Sequence, residues 1–163
     1  MEREPKVFIG ARMFVCIMLM LGITGVMNAQ LVTNGSFESS NPGVVTGTDA
    51  KGWLIQVGTG VSPAPVFEIV SDTVQQGTRA LKITVHGVGT NQWDIQAVAD
   101  SIPVKPGATY NYSIWAKSLT PGAQVNLTMG NYAFTEYRAI RPATLTTQWQ
   151  KFTMQFIGAL CRA

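Results

Sequence analysis

From Leu31 onward the chain is cut into short runs by turn formers, and this constrains the fold more than anything else in it. Asn34-Gly35, Asn41-Pro42-Gly43, Gln76-Gly77, Gly87–Gly89, Lys105-Pro106-Gly107 and Thr120-Pro121-Gly122 recur too closely for long helices to fit between them. Proline fixes φ and glycine accepts φ > 0, so each cluster turns the chain. The runs between them predict strands over Trp53–Val57, Val66–Val70, Ala80–Val85, Trp93–Ala97, Thr109–Lys117, Gln124–Met129, Ala133–Arg138 and Gln148–Phe156. Short strands at regular spacing, with no 3.6-residue period between them, indicate an all-β sandwich or jelly roll of antiparallel sheets.

Alternation assigns faces to these strands. Leu81, Ile83 and Val85 point one way, with Lys82 and Thr84 opposite. Tyr110, Tyr112, Ile114 and Ala116 share a face, and so do Phe152, Met154 and Phe156. Sheets buried on one side read this way. The polar faces carry Trp115 and Trp149, although a solvated face rarely holds a large aromatic. Charged residues make up 13% of the chain and the formal net charge is +3, which lacks the clustered basic surface of a nucleic-acid binder.

The N-terminus reads as a leader. Arg3, Lys6 and Arg12 precede the apolar run Met13–Met27, which ends at the small-residue step Asn28-Ala29. A basic region, a short apolar region and a small residue form a secretory signal peptide, expected over 1–29 with cleavage after Ala29. The run is shorter than the ~20 residues a spanning helix needs, so the mature chain, 30–163, is expected to be secreted and free of the membrane. Of the two cysteines, Cys16 lies in the leader, which leaves Cys161 without a partner for a disulfide. A cysteine–histidine zinc set is excluded by the same count, since His86 is the only histidine. His86 sits at a predicted strand end before Gly87, and no G-x-S-x-G elbow accompanies it.

Two segments carry candidate chemistry. Gly89–Gln96 sets Trp93 among amides and one carboxylate, and Gly130–Arg138 sets Phe134, Glu136 and Arg138 on one face if it is a strand. An aromatic ring stacks on the C–H face of a sugar while amides, acids and guanidinium groups bond its hydroxyls, so this pattern suits a neutral polyhydroxyl ligand. The competing reading puts Trp93 and Phe134 in the core with the acid and the base solvated. Glu38, in the turn Asn34–Glu38, is a candidate ligand for a hard cation or else a solvated turn acid. Asn34, Asn111 and Asn126 begin N-x-[ST] sequons.

The segments LVTNGSFESS, Gly52-Trp53, PVFEIVSD, GTRALKITVHGVGTNQWDIQ, PVKPGATYNYSIWAKS, MGNYAFTEY and TTQWQKFTMQF resemble, in order and spacing, the family 4/9/22 carbohydrate-binding modules. The likeness runs from Leu31 to Phe156 and is closest to the xylan-binding family 4 modules of family 10 xylanases. It implies a jelly-roll β-sandwich whose concave sheet forms a cleft for one glycan chain. Trp93 and Phe134 would be the stacking aromatics. Gln96 stands where members often have an acid, and Glu136 lies on the hydroxyl-bonding side. An arginine of the family falls just after the Phe-x-Glu-Tyr stretch; here Ala139 holds that place, between Arg138 and Arg141. The resemblance also implies a structural calcium at Glu38, with backbone carbonyls matching Ser36, Gln76 and Arg79 and an aspartate near the final strand. Ile157–Ala163 does not continue the family pattern, so the module over 30–163 is expected to lack its last strands. The implied function is non-catalytic binding of a β-glycan, xylan or β-glucan, by an accessory domain that directs a secreted glycoside hydrolase to plant polysaccharide. Two alternatives are a jelly-roll glycoside hydrolase and a structural or adhesion sandwich. Retaining hydrolysis needs two carboxylates ~5–5.5 Å apart, and Asp94 and Glu136 are the only plausible pair.

Overall fold

The computed structural model describes residues 6–16, 28–29, 31–99, 102–130 and 136–158. Every regular element among them is a strand: β1 (Lys6–Cys16), β2 (Asn28–Ala29), β3 (Gly43–Val44), β4 (Trp53–Val57), β5 (Val66–Val70), β6 (Ala80–Thr84), β7 (Ile95–Ala99), β8 (Thr109–Ser118), β9 (Gln124–Gly130), β10 (Glu136–Thr144) and β11 (Gln150–Ile157). The large sheet has the order β11-β8-β1-β6-β5-β3, with β2 on the end of β1. Two ribbons stand apart from it, β4-β7 and β9-β10. All pairings are antiparallel. After β3 the chain passes repeatedly between the large sheet and the ribbons, which makes this an all-β sandwich, as the sequence pattern indicates.

One core joins the layers. Phe67, Ile69, Leu81, Ile83, Tyr110, Ile114, Ala116, Met154 and Phe156 from the large sheet pack with Trp53 and Ile55 of one ribbon and Leu127 and Ala143 of the other. These are the inward positions of the alternation. Phe37 and Leu81 are fully buried, each contributing about 1.5–3 kcal/mol by leaving water. Phe37 packs tilted against Trp53 with ring centroids 4.9 Å apart, and Tyr110 stacks at 5.3 Å on its cross-strand partner Phe156. On the outer face Glu68 and Lys82 are register partners and form an ion pair. That face also explains Trp149: it packs with Val74 against Val70 and Ala80, beneath the Lys117 ammonium at 5.4 Å. A second small apolar cluster therefore lies on the polar side of the sheet.

Three strands differ from the sequence expectation by more than one residue at a boundary. The expected strand Trp93–Ala97 is β7, Ile95–Ala99, because residues 91–94 close a turn through the Asp94 side chain. The expected strand Ala133–Arg138 is β10, which the structure describes from Glu136 to Thr144. It continues past Pro142 because the register shifts between Ile140 and Ala143, and at such a bulge a missing N–H breaks no regular ladder. The expected strand Gln148–Phe156 starts at Gln150, whose side-chain oxygen accepts the Thr146 N–H in the preceding turn.

The leader expectation meets a structural fact here. Lys6–Cys16 lies between β6 and β8, paired with Leu81–Thr84 on one side and Asn111–Ser118 on the other. Since β1 is antiparallel to both, β6 and β8 run parallel with one strand between them. Cleavage after Ala29 would take that strand away.

Candidate functional site

The site is built on the β4-β7 ribbon. Trp53 and Ile55 face the core, which turns Leu54 and Gln56 to the opposite face. Across the ladder Gln56 is paired with Gln96, and Leu54 with Val98. Residues 91–94 lead into β7. The Asp94 N–H donates to the Asn91 carbonyl at 3.1 Å, while Asp94 Oδ2 accepts the Asn91 N–H at 2.9 Å. This reciprocal closure presents Trp93 to solvent, 58% exposed. Gln96 Nε2 donates to the Trp93 carbonyl at 2.7 Å, and Gln92 Oε1 accepts from Asn126 Nδ2 at 3.1 Å, which ties the turn to β9. An exposed indole is thus carried on a turn that also holds Gln92, tied to Asn126, and that leads into Gln96, paired with Gln56 across the ladder.

Of the expected ligand-binding residues, the structure brings Trp93 and Gln96 together directly. Trp93 is not in the core, so the competing reading fails for it. Arg138 lies on the second ribbon and is exposed, in register with Met129. Glu136 is in register with Gly130, and the register shifts between Glu136 and Arg138, which interrupts the alternation expected to keep these two on one face. Phe134 lies outside the described residues. Sequence reasoning passed over Gln56 and Asn126 as members of the site. Their sequence signal was weak: Gln56 is the one polar position of WLIQV, while Asn126 is one of three in QVNLTMG.

The expected metal set centres on Glu38, whose carboxylate is held by protein donors. Glu38 Oε1 accepts the Thr78 N–H at 2.8 Å and the Arg79 N–H at 3.1 Å, and Oε2 accepts the Thr78 hydroxyl at 2.6 Å. Gly77, at φ +77°, makes room for this: a Cβ there would collide with Oε1. The Thr78 hydroxyl first, then the Thr78 N–H, hold the Glu38 carboxyl below the ordinary glutamate range, and the Arg79 backbone and charge act the same way. Calcium takes six to eight oxygen ligands. The described residues offer one carboxylate, already bound by three donors and beside a guanidinium, and no cluster of three metal-ligating His, Cys, Asp or Glu side chains. A calcium ion at this carboxylate would have to draw most of its ligands from backbone carbonyls. Glu38 and Arg79 do meet, but through the Arg79 N–H rather than its carbonyl.

Asp94, one half of the only plausible catalytic pair, is likewise engaged. Its Oδ2 is held by Asn91, and its carboxylate lies against Gly58 and Gly89. The site offers a ring face and amides that both donate and accept, an arrangement suited to a neutral hydroxyl-rich surface. Residues 29–157 match the family model CBM_4_9, described as a carbohydrate binding domain. No curated protein matches the chain.

Proposed function

The chain belongs to this carbohydrate binding domain family, whose members bind without catalysis, and from that premise we propose that it holds a neutral β-glycan, xylan or β-glucan, on the surface around Trp93. The observation that carries the reading is a tryptophan exposed on a side-chain-closed turn, with the amides of Gln92 and Gln96 in the same segment. Its 58% exposure leaves on the order of 100–150 Å² for a sugar to cover, about 2.5–4 kcal/mol at ~25 cal/mol/Å². The amides bond equatorial hydroxyls without requiring a charge on the ligand. A single-chain site of this kind binds with Kd in the roughly μM–mM range, about −8 to −4 kcal/mol. Trp93 then supplies around half of the affinity. The basic and apolar N-terminal pattern supports export, and a secreted glycan-binding domain serves to keep an attached hydrolase on plant polysaccharide.

Affinity electrophoresis of the full chain in xylan, β-glucan and mannan gels tests this, beside a reducing-sugar assay. Retardation in xylan or β-glucan, abolished by Trp93→Ala with the circular dichroism spectrum intact, is expected. Equal retardation of the variant would sink the assignment of this surface. Reducing ends released by repurified protein would favour the hydrolase instead.

A further inference from the structure

We infer that Asp94 is the positioning residue of the Trp93 platform, acting through a seat formed by Gly58 and Gly89. The inference rests on the glycan-binding reading of the turn and concerns a residue that does not itself touch the ligand. Alternation alone would continue the inward row of Ile95 and Ala97, which pair with Val57 and Ile55, and would send Trp93 toward the core. What redirects the chain is Asp94. Its Oδ2 accepts the Asn91 N–H at 2.9 Å, Oδ1 lies 3.4 Å from Asn91 Nδ2, and its carbonyl accepts the Gly58 N–H at 2.7 Å.

The carboxylate fits only because two neighbours lack a Cβ. One at Gly58 would lie 2.9 Å from Oδ1, and one at Gly89 would collide with Oδ2. Neither glycine has a positive φ, so close approach rather than backbone conformation is what requires them. Gly58 follows β4, Gly89 lies in the β6–β7 connection, and Asp94 is the last residue before β7. Two chain segments, the end of β4 and the β6–β7 connection, therefore converge on the carboxylate of the residue next to Trp93. A ring held in place before binding loses less conformational freedom when a sugar arrives, so the seat acts on affinity through order rather than contact.

The test uses the full chain with Trp93→Ala, Asp94→Ala, Asp94→Asn and Gly58→Ala. It reads xylan affinity and the indole N–H resonance of Trp93, assigned by its loss in Trp93→Ala. Asp94→Ala should weaken binding about 10-fold or more and shift or broaden that resonance. Asp94→Asn, which keeps an acceptor oxygen and the volume, should restore most of the affinity. Gly58→Ala should reproduce the Asp94→Ala effect by displacing the carboxylate, and it decides the matter if Asp94→Ala does not fold. Loss of binding in Trp93→Ala, together with wild-type affinity and an unmoved resonance in Asp94→Ala, overturns the inference. So does equal weakening by Asp94→Asn and Asp94→Ala, which would mean that the charge itself acts on the ligand. If Trp93→Ala binds as well as wild type, the glycan reading of this surface fails separately. The resonance shift in Asp94→Ala still reports on positioning in that case.

Discussion

Replacing Glu38 by alanine removes a clasp between two loops forty residues apart in sequence, since its carboxylate is the shared acceptor for Thr78 N, Thr78 Oγ1 and Arg79 N. A hydrogen bond to a charged group is worth about 1.5–3 kcal/mol when well shielded. Glu38 and Thr78 are exposed, so water takes over much of the lost acceptor, and the three bonds together come to about 1–3 kcal/mol. At roughly 2–4 °C per kcal/mol for a domain of this size, Glu38→Ala should melt about 2–12 °C lower at pH 7. The pH dependence has a defined sign. Folding lowers the Glu38 pKa, so the contribution is fully present above the unfolded value near ~4.3 and disappears as pH falls through the lower folded value. Wild type and variant should therefore converge in melting temperature on acidification. Differential scanning fluorimetry across pH 7 to about 3, with millimolar calcium or with chelator, reads all of this. Calcium should move the wild-type melting temperature little, because a site already filled by donors binds it weakly and stabilisation follows RT ln(1 + [L]/Kd). Identical melting at pH 7, or a gap that persists in acid, refutes the clasp. A calcium-induced rise of many degrees that Glu38→Ala abolishes would make the carboxylate a metal ligand instead.

Two further predictions concern stability. Asn34 sits at φ 52°, with Nδ2 donating to Ser40 Oγ and the Lys51 carbonyl and Oδ1 accepting the Ser39 N–H. Asn34→Ala should cost about 2–4 kcal/mol in urea denaturation, from three lost bonds and left-handed strain, whereas Asn34→Gly should cost about 1 kcal/mol less than that; equal losses would refute the backbone part of the argument. Removing residues 1–29 deletes β1, which is in register with four residues of β6 and eight of β8. A chain beginning at Gln30, the form that export leaves, should stay monomeric on gel filtration and still be retarded in xylan; association and melting more than ~10 °C below the full chain, from exposing β6 and β8 as edges, would show that residues 6–16 belong to the fold and are not a leader.

Much of the fold is legible locally. Val66–Val70 and Trp53–Val57 carry their strand limits in a five-residue run bounded by turn formers, and the burial of Phe67, Ile69 and Ile55 follows from period two. The family resemblance located Trp93 and Gln96, and the structure brings them together. Boundaries were lost where a side chain overrode the alternation, as Asp94 does before β7, or where a bulge carried a strand past a proline, as in β10.

By itself the sequence determined the strand content, the inward faces and the candidate aromatic at 93, because propensity, alternation and turn chemistry each act within a few residues. Tertiary structure decided what those residues do. Whether Trp93 faces the core or solvent depends on Asp94 lying against Gly58, thirty-six residues before it in the chain. That Glu38 clasps Thr78, and that Asn126 meets Gln92, also follows from pairing across the fold. Period two reads the same for an exposed tryptophan and a buried one. Hydrogen-bond partners that far apart are set by which strands pair, and no local pattern carries that information.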